Sequence, residues 1–439
     1  MDYSRRLTDE EFKTFLKTDY SDETVQKLFT YGLPDSQMQM WMAFQETGQI
    51  TEPSKPDYPV IEISHAHMRL EKEGKFFISE LRDHEIHLNS SGRERVHKPK
   101  TKTGQHDPDW EIQSLAWKKF REGYRRALTA EDHPLLLQIP CPEHLDASIM
   151  EVCPTGNRAA VVQDSDGKGS RIHLLDLETG NAELLHTDPA FLIRSLKWVE
   201  QGEYLVFTPQ DDSGIQTKKL ELRSGGVEQI AASSHSTMGA VLDVDASGTR
   251  LLCESDGSYQ VLDLSTGSSL LCEPQFETMY SESSTAFSPC GQFLFIAAIA
   301  EGEQGRIIAH DLQSQTTMET RTGSDNPVDG LVYSSGGLYL LERFSAPSIW
   351  AFENGQLKKI GEAKTEEQNA GDMQCSPSGK LVSLYTGGRL TILDASTGET
   401  RMHLRESLHL KRGVARFLNN ESQVVMTGGG LVSVCDITV

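Results

Sequence analysis

After residue 134 one pattern returns seven times: a short turn containing Gly or Asn, an apolar strand, a second turn, another strand and a final short strand. The first turns are Cys153-Pro154-Thr155-Gly156, Val199-Glu200-Gln201-Gly202, Asp245-Ala246-Ser247-Gly248, Ser288-Pro289-Cys290-Gly291, Ser334-Ser335-Gly336-Gly337, Ser376-Pro377-Ser378-Gly379 and Leu418-Asn419-Asn420-Glu421. Successive turns lie about 41 to 46 residues apart, the length of one four-stranded propeller blade. A fixed period of this length decides the fold before any other feature, and it predicts a seven-bladed β-propeller over residues 134–439.

A second mark keeps step with the first. It reads Asp176-Leu177-Glu178-Thr179-Gly180, Asp263-Leu264-Ser265-Thr266-Gly267, Asp311-Leu312-Gln313-Ser314 and Asp394-Ala395-Ser396-Thr397-Gly398, and degrades to Glu221-Leu222-Arg223-Ser224-Gly225 and Phe352-Glu353-Asn354-Gly355. Such segments make hairpin turns, because Asp and Ser/Thr accept backbone N–H bonds and Gly takes the positive φ. Short apolar runs between the marks, such as Tyr204-Leu205-Val206-Phe207 and Phe293-Leu294-Phe295-Ile296, suit strands buried between neighbouring blades. The ends are complementary. The seventh unit stops at Val439 without an outer strand, and residues 134–143 form a strand without a blade, so pairing them closes the ring and removes exposed edges.

These units resemble WD-repeat and related propellers over about 300 residues. The Gly-His opening and Trp-Asp close of WD repeats are missing from every unit, so the resemblance is one of architecture and carries no hydrogen-bonded tetrad.

Residues 1–130 read as a separate α+β module. Thr8-Asp9-Glu10-Glu11 is a capping box that leads into a helix through Phe12, Phe15 and Leu16. A second helix is expected after Ser21, through Val25, Leu28 and Phe29, to Gly32-Leu33-Pro34. Extended segments follow at Val60-Ile61-Glu62-Ile63, Phe76-Phe77-Ile78 and Glu85-Ile86-His87-Leu88, the last turning at Asn89-Ser90-Ser91-Gly92 into Arg93-Glu94-Arg95-Val96. A closing helix capped near Ser114 carries Leu115, Phe120 and Tyr124. This order, with Tyr31-Gly32-Leu33-Pro34 and Ser114-Leu115-Ala116-Trp117-Lys118-Lys119-Phe120, resembles the SUKH superfamily over roughly residues 8–128. The resemblance implies a protein-binding module without catalytic residues, of the kind used by toxin-neutralising immunity proteins and by intracellular scaffolds. This chain departs from the pattern in lacking an acidic residue before the hairpin glycine and in the long basic insertion after it.

Few constellations carry chemistry. His65-Ala66-His67 with His84 or His87 has the residue type for zinc but no carboxylate or cysteine at a diagnostic spacing, so satisfied surface or packing histidines are favoured. The basic loop Lys98-Pro99-Lys100-Thr101-Lys102, with Arg93 and Arg95, lacks the interleaved aromatics or glycine cradle of a nucleic-acid or phosphate site. Gly387-Gly388 and Gly428-Gly429-Gly430 fall between strands, with no helix following to hold an anion. Asp243, His310 and Asp372 are single candidates near inner-strand ends or blade edges, and the sequence does not bring them together. The seven cysteines are scattered, without a C-x-x-C pair, and most read as small core residues rather than a disulfide framework.

Charge narrows the partners. Residues 1–133 carry 20 Lys+Arg against 24 Asp+Glu, which leaves 22 against 40, a net −18 of the total −22, for the propeller. Such a surface repels nucleic acid and anionic membrane and speeds encounter with a basic protein. No stretch approaches the roughly 18 apolar residues of a membrane span, and no signal peptide opens the chain, which points to the cytoplasm. The expectation is a non-catalytic adaptor or scaffold, an immunity or defence protein in one version, with no catalytic, cofactor or metal residues. The alternative is a propeller hydrolase or lyase using channel carboxylates and a divalent metal.

Overall fold

The computed structural model describes residues 7–18, 20–21, 24, 35–50, 57–63, 67–82, 85–97, 108–142, 147, 149–165, 169–189, 192–211, 214–233, 242–255, 258–272, 282–299, 304–343, 345–353, 355–365, 370–386, 388–406, 413–428 and 430–438. They fall into two compact units, residues 1–57 with 64–127, and residues 58–63 with 128–439.

The larger unit is mainly β and propeller-like, and each repeat becomes an antiparallel four-stranded sheet. The first sheet runs Ile149–Val152, Arg158–Ser165, Gly169–Asp176 and Ala182–Asp188. The second runs Leu192–Val199, Tyr204–Asp211, Gly214–Glu221 and Val227–Ser233, and the third Leu242–Val244, Arg250–Ser255, Ser258–Asp263 and Ser269–Cys272. The fourth runs Glu282–Phe287, Phe293–Ile299, Arg306–Asp311 and Thr316–Arg321, and the fifth Val328–Ser334, Gly337–Glu342, Ser348–Glu353 and Gln356–Glu362. The sixth has Asp372–Cys375, Leu381–Thr386, Arg389–Asp394 and Thr400–Glu406. The seventh takes Ala415–Phe417, Gln423–Gly428 and Leu431–Asp436 from one end of the chain and Leu135–Pro140 from the other, paired antiparallel with Leu431 opposite Pro140 and Val434 opposite Leu137.

The turn chemistry works as the residue types dictate. Asp176 Oδ1 accepts the amides of Glu178 (3.0 Å) and Thr179 (2.7 Å), and Asp263 Oδ1 accepts those of Ser265 and Thr266, both at 3.0 Å. Asp394 does the same for Ser396 and Thr397; bonds from the Ser396 side chain and these amides, with Arg401 beside it, hold its carboxyl down at about 2. Gly180, Gly267 and Gly398 then take φ near +70°, which a side chain resists.

Apolar clusters sit between consecutive sheets. Met150, Val161 and Leu175 of the first sheet pack on Ile139, Val425 and Val432 of the seventh, and equivalent clusters join each later pair. The first strands of the seven sheets are spatial neighbours in chain order, and that of the seventh lies beside that of the first. Cys141, Cys153, Cys253 and Cys435 are buried in these layers.

One strand departs from the sequence reading. Val60–Ile63, assigned to the α+β module, is instead a fifth strand on the sixth sheet, parallel to Thr400–Glu406 with Val60 opposite His403 and Ile63 opposite Glu406. The physical reason is an apolar slot at that edge. Ile63 is buried with Leu390, Met402 and Leu404, the Tyr58 hydroxyl lies 2.9 Å from His403 Nε2, and Arg405 pairs with Glu62 at 3.5 Å.

The smaller unit has helices α1 (Asp9–Thr18), α2 (Asp35–Thr47) and α3 (Pro108–Arg121), and a sheet in the order Arg93–His97, Glu85–Ser90, Lys75–Arg82, His67–Lys72, Arg125–Arg126. The capping box forms: Thr8 N donates to Glu11 Oε2 at 2.9 Å and Glu11 N to Thr8 Oγ1 at 3.3 Å, with Phe12, Phe15 and Leu16 buried. The expected helix through Val25 and Phe29, and Gly32-Leu33-Pro34, lie outside the described residues. Helix α2 was not anticipated; its Met40 joins the α1 core. Helix α3 begins at Pro108, a residue suited to a first helical turn, rather than at Ser114, which sits exposed in mid-helix while Ile112, Ala116 and Phe120 are buried.

Candidate functional site

The first strands of all seven sheets line a cavity of about 860 Å³. Four carboxylates, Glu151, Asp243, Asp329 and Asp372, and three cations, Arg194, Lys197 and Arg416, face it. Five of them form a belt of alternating sign on five consecutive sheets. Asp372 of the sixth sheet accepts from Arg416 Nη1 of the seventh at 2.7 Å and from Ala415 N at 3.0 Å. Arg416 reaches Glu151 Oε1 of the first sheet at 3.3 Å, and the same oxygen receives Lys197 Nζ of the second at 3.2 Å. Asp243 of the third sheet ends the belt.

The charges differ in how well they are satisfied. Burial by itself would push the Glu151 carboxyl up, but Lys197 and Arg416 beside it hold it below its ordinary range. Burial likewise opposes the charge on Lys197 and Arg416, and neighbouring carboxylates more than offset it, so both stay firmly protonated. Asp243 is the exception. Burial raises it to about 6, Lys197 offsets this only in part, and among the described residues its one hydrogen bond comes from the backbone N–H of Val244 at 2.8 Å.

Of the candidates from sequence, the structure brings Asp243 and Asp372 to one cavity and leaves His310 out. His310 sits on the third strand of the fourth sheet, with Nδ1 3.0 Å from Thr317 Oγ1, and burial pulls its pKa down. Asp372 is committed to Arg416, so a metal there would have to displace an ion pair. Among the described residues no group of three or more His, Cys, Asp or Glu is placed to hold a metal. His65 and His84 lie outside them; His67 is exposed and His87 half-buried, each opposite Glu80 in the sheet register. Lys98, Lys100 and Lys102 also lie outside. Gly388 and Gly430 occupy hairpin turns at φ of +86° and +77°.

Sequence reasoning missed Glu151, Lys197 and Arg416, although a signal was there. Each stands two residues before the first-turn mark of its unit, as Asp243 does, and the same position holds Ala286, Val332 and Gln374 in the other three. Alternate residues of a strand share a face, so this one repeat position lines the cavity.

No helix among the described residues is long and apolar enough to cross a membrane. No protein-family model and no curated protein matches the chain. Among solved structures it is similar to the β-propeller domain of Cps50 (Swd1) from Myceliophteria thermophila, at 13% identity and a TM-score of 0.53, over 69% of this chain and 99% of that one. At that identity the likeness is one of fold.

Proposed function

We propose that residues 134–439 form a closed seven-bladed propeller serving as a non-catalytic protein-binding scaffold, with the N-terminal unit, residues 1–57 with 64–127, as a second, SUKH-like binding module. The observation that carries the reading is the belt: four of its five charges, all but Asp243, are spent on one another across sheet boundaries, where a hydrolytic site would hold its acid, base or metal ligands free for substrate. Support for the ring comes from the pairing of Leu135–Pro140 with Leu431–Asp436 and from the succession of first strands around one cavity. The net −18 of residues 134–439 favours a basic protein as partner and disfavours nucleic acid.

The test is reconstitution. A partner recovered on the immobilised full chain, then purified and mixed with it, should give a stoichiometric complex whose association slows as salt rises, because steering fades once the Debye length shrinks to about 3 Å near 1 M. Stoichiometric bound divalent metal together with turnover of an ester, lactone or phosphate substrate would overturn the scaffold reading.

A further inference from the structure

We propose that the cavity receives one alkyl cation, the lysine or arginine side chain of a partner segment, seated against Asp243. This rests on the scaffold reading and names what the site would recognise. The belt alternates sign from Asp372 through Arg416, Glu151 and Lys197 to Asp243, and there it stops. Of the next first strand, Glu282–Phe287, the described side chains Ser284, Thr285, Ala286 and Phe287 line the cavity, none of them ionisable. The acid at the other end, Asp372, has a cation within 2.7 Å, and Asp329 of the fifth sheet has Arg343 at 2.8 Å. Arg194, the remaining cation, is turned to Gln210 with Nε 2.5 Å from Oε1. Among the described residues Asp243 alone of the cavity carboxylates makes no ion pair within 4.0 Å, and it looks into an arc of the wall whose described lining is uncharged. Continuing the alternation there requires a positive charge.

The stem of the guest has apolar company. Ile149, Val244, Leu331 and Val332 line the same cavity, a surface suited to the methylenes of Lys or Arg while the head group meets the carboxylate. A buried carboxylate whose charge a neighbouring cation offsets only in part works against folding, and such a group facing a cavity is what a binding site retains and a purely structural belt would replace.

Titration calorimetry at low salt on the full chain provides the test. The first arm uses n-butylguanidinium and n-butylammonium, with n-butanol as the neutral control. The second uses short capped glycine peptides carrying one central Arg or Lys, with a norleucine peptide as control. Both cations and both cationic peptides should bind and the neutral controls should not. Asp243→Asn should weaken binding about tenfold or more while melting no lower than wild type, so that lost binding is not lost fold. Glu353→Gln removes a charge of the same sign at an exposed strand end and should bind as wild type does. Binding that is equal in Asp243→Asn, or absent in both arms, overturns the cation site and leaves the scaffold reading to its own test. Small cations that bind while the peptides do not overturn the partner side chain as the guest and likewise leave the scaffold reading to its own test.

Discussion

Two junctions between neighbouring sheets are held in different ways. Where the fourth sheet meets the fifth, the chain runs straight on and the contact is an aromatic wedge: Phe295 stacks on Tyr333 at 5.3 Å between centroids, and Phe352 sets its edge against Phe293 (4.8 Å) and Phe295 (5.1 Å). Among the described residues no hydrogen bond links the turns 288–291 and 334–337. Where the sixth, seventh and first sheets meet, segments nearly three hundred residues apart in the chain come together and the contact is polar and directional. Arg416 ties Asp372 to Glu151, Ser378 Oγ donates to Glu421 at 2.7 Å, and Asn419 Nδ2 donates to the Cys153 carbonyl at 3.2 Å. Apolar burial is tolerant of angle; ion pairs and hydrogen bonds are not. Similar bonds, from Thr155 Oγ1 to the Gln201 carbonyl at 2.9 Å, from Arg250 Nη1 to the Gly291 carbonyl at 2.6 Å and from Ser335 N to the Gly379 carbonyl at 2.8 Å, also join sheets that follow one another in the chain, so among the described residues it is the aromatic junction that departs from the rest.

The most damaging way to break this contrast is to remove the strand that joins the ends. Deleting residues 134–140 strips Leu431–Asp436 of its partner and uncovers Val432 and Val434, and a loss of several kcal/mol is expected from unpaired backbone and exposed apolar surface. Urea denaturation should show the cooperative transition lost or shifted to much lower urea. An unchanged midpoint would mean that the seventh sheet stands without its fourth strand.

Next in size is Arg416→Ala, which leaves Glu151 and Asp372 facing the cavity with fewer counter-charges and should lower stability by about 3 kcal/mol. Arg416→Lys should recover little of this, because one ammonium cannot bridge two carboxylates on different sheets as the guanidinium fork does. Phe295→Leu at the aromatic junction keeps most of the volume and should lose only about 1 kcal/mol. Equal losses for Arg416→Lys and Phe295→Leu would erase the distinction between the junctions.

Ile63→Ala sharpens the comparison at the outer side of the sixth sheet. Ile63 comes from the N-terminal part of the chain yet is buried in the cluster shared by the sixth and seventh sheets, so about 2 kcal/mol is expected. Amide exchange in Thr400–Glu406 should speed up, with the strand Thr316–Arg321 of the fourth sheet unaffected. A fragment beginning near residue 131 lacks this strand, so it should melt lower than the full chain, and restoring residues 58–63 as a peptide should raise it again.

The same difference in kind separates what was legible in the sequence from what was not. The repeat spacing, the Asp-led hairpin turns and the unpaired ends could be read because they depend on residues close in the chain or on the count between marks. The belt could not be read motif by motif, since Arg416 and Glu151 lie 265 positions apart; only stacking the units in register puts Glu151, Lys197, Asp243 and Arg416 in one column. Val60–Ile63 was recognised as extended but given to the wrong sheet, because four alternating residues carry no record of which edge they join. Helix α2, rich in Gln and Met, went unread for want of a strong apolar stripe.

The smallest expected effect concerns the end of the belt. The folded-state pKa of Asp243, about 6, stands above its ordinary value of 3.8, so folding disfavours its charged form. The sign follows from linkage: well below 3.8 the group is protonated in both states and contributes nothing, and as pH rises through 3.8 towards 6 the unfolded chain gives up the proton more readily than the folded one. Its contribution to stability therefore falls between about pH 4 and 6 and stays low above. At about 1.4 kcal/mol per unit the ceiling is near 3 kcal/mol, and the part of its surface left open, with Lys197 losing a neighbouring carboxylate in the variant, brings the expectation down to about 1 kcal/mol. Asp243→Asn should consequently be more stable than wild type at pH 7.5 by that amount and indistinguishable from it well below pH 3.8, with the difference opening between. Glu342, also raised by burial, and the other carboxyls titrate in both proteins, so the difference curve isolates Asp243. A variant less stable than wild type at pH 7.5 would show Asp243 to be satisfied like the rest of the belt, and the contrast between its closed and open ends would disappear.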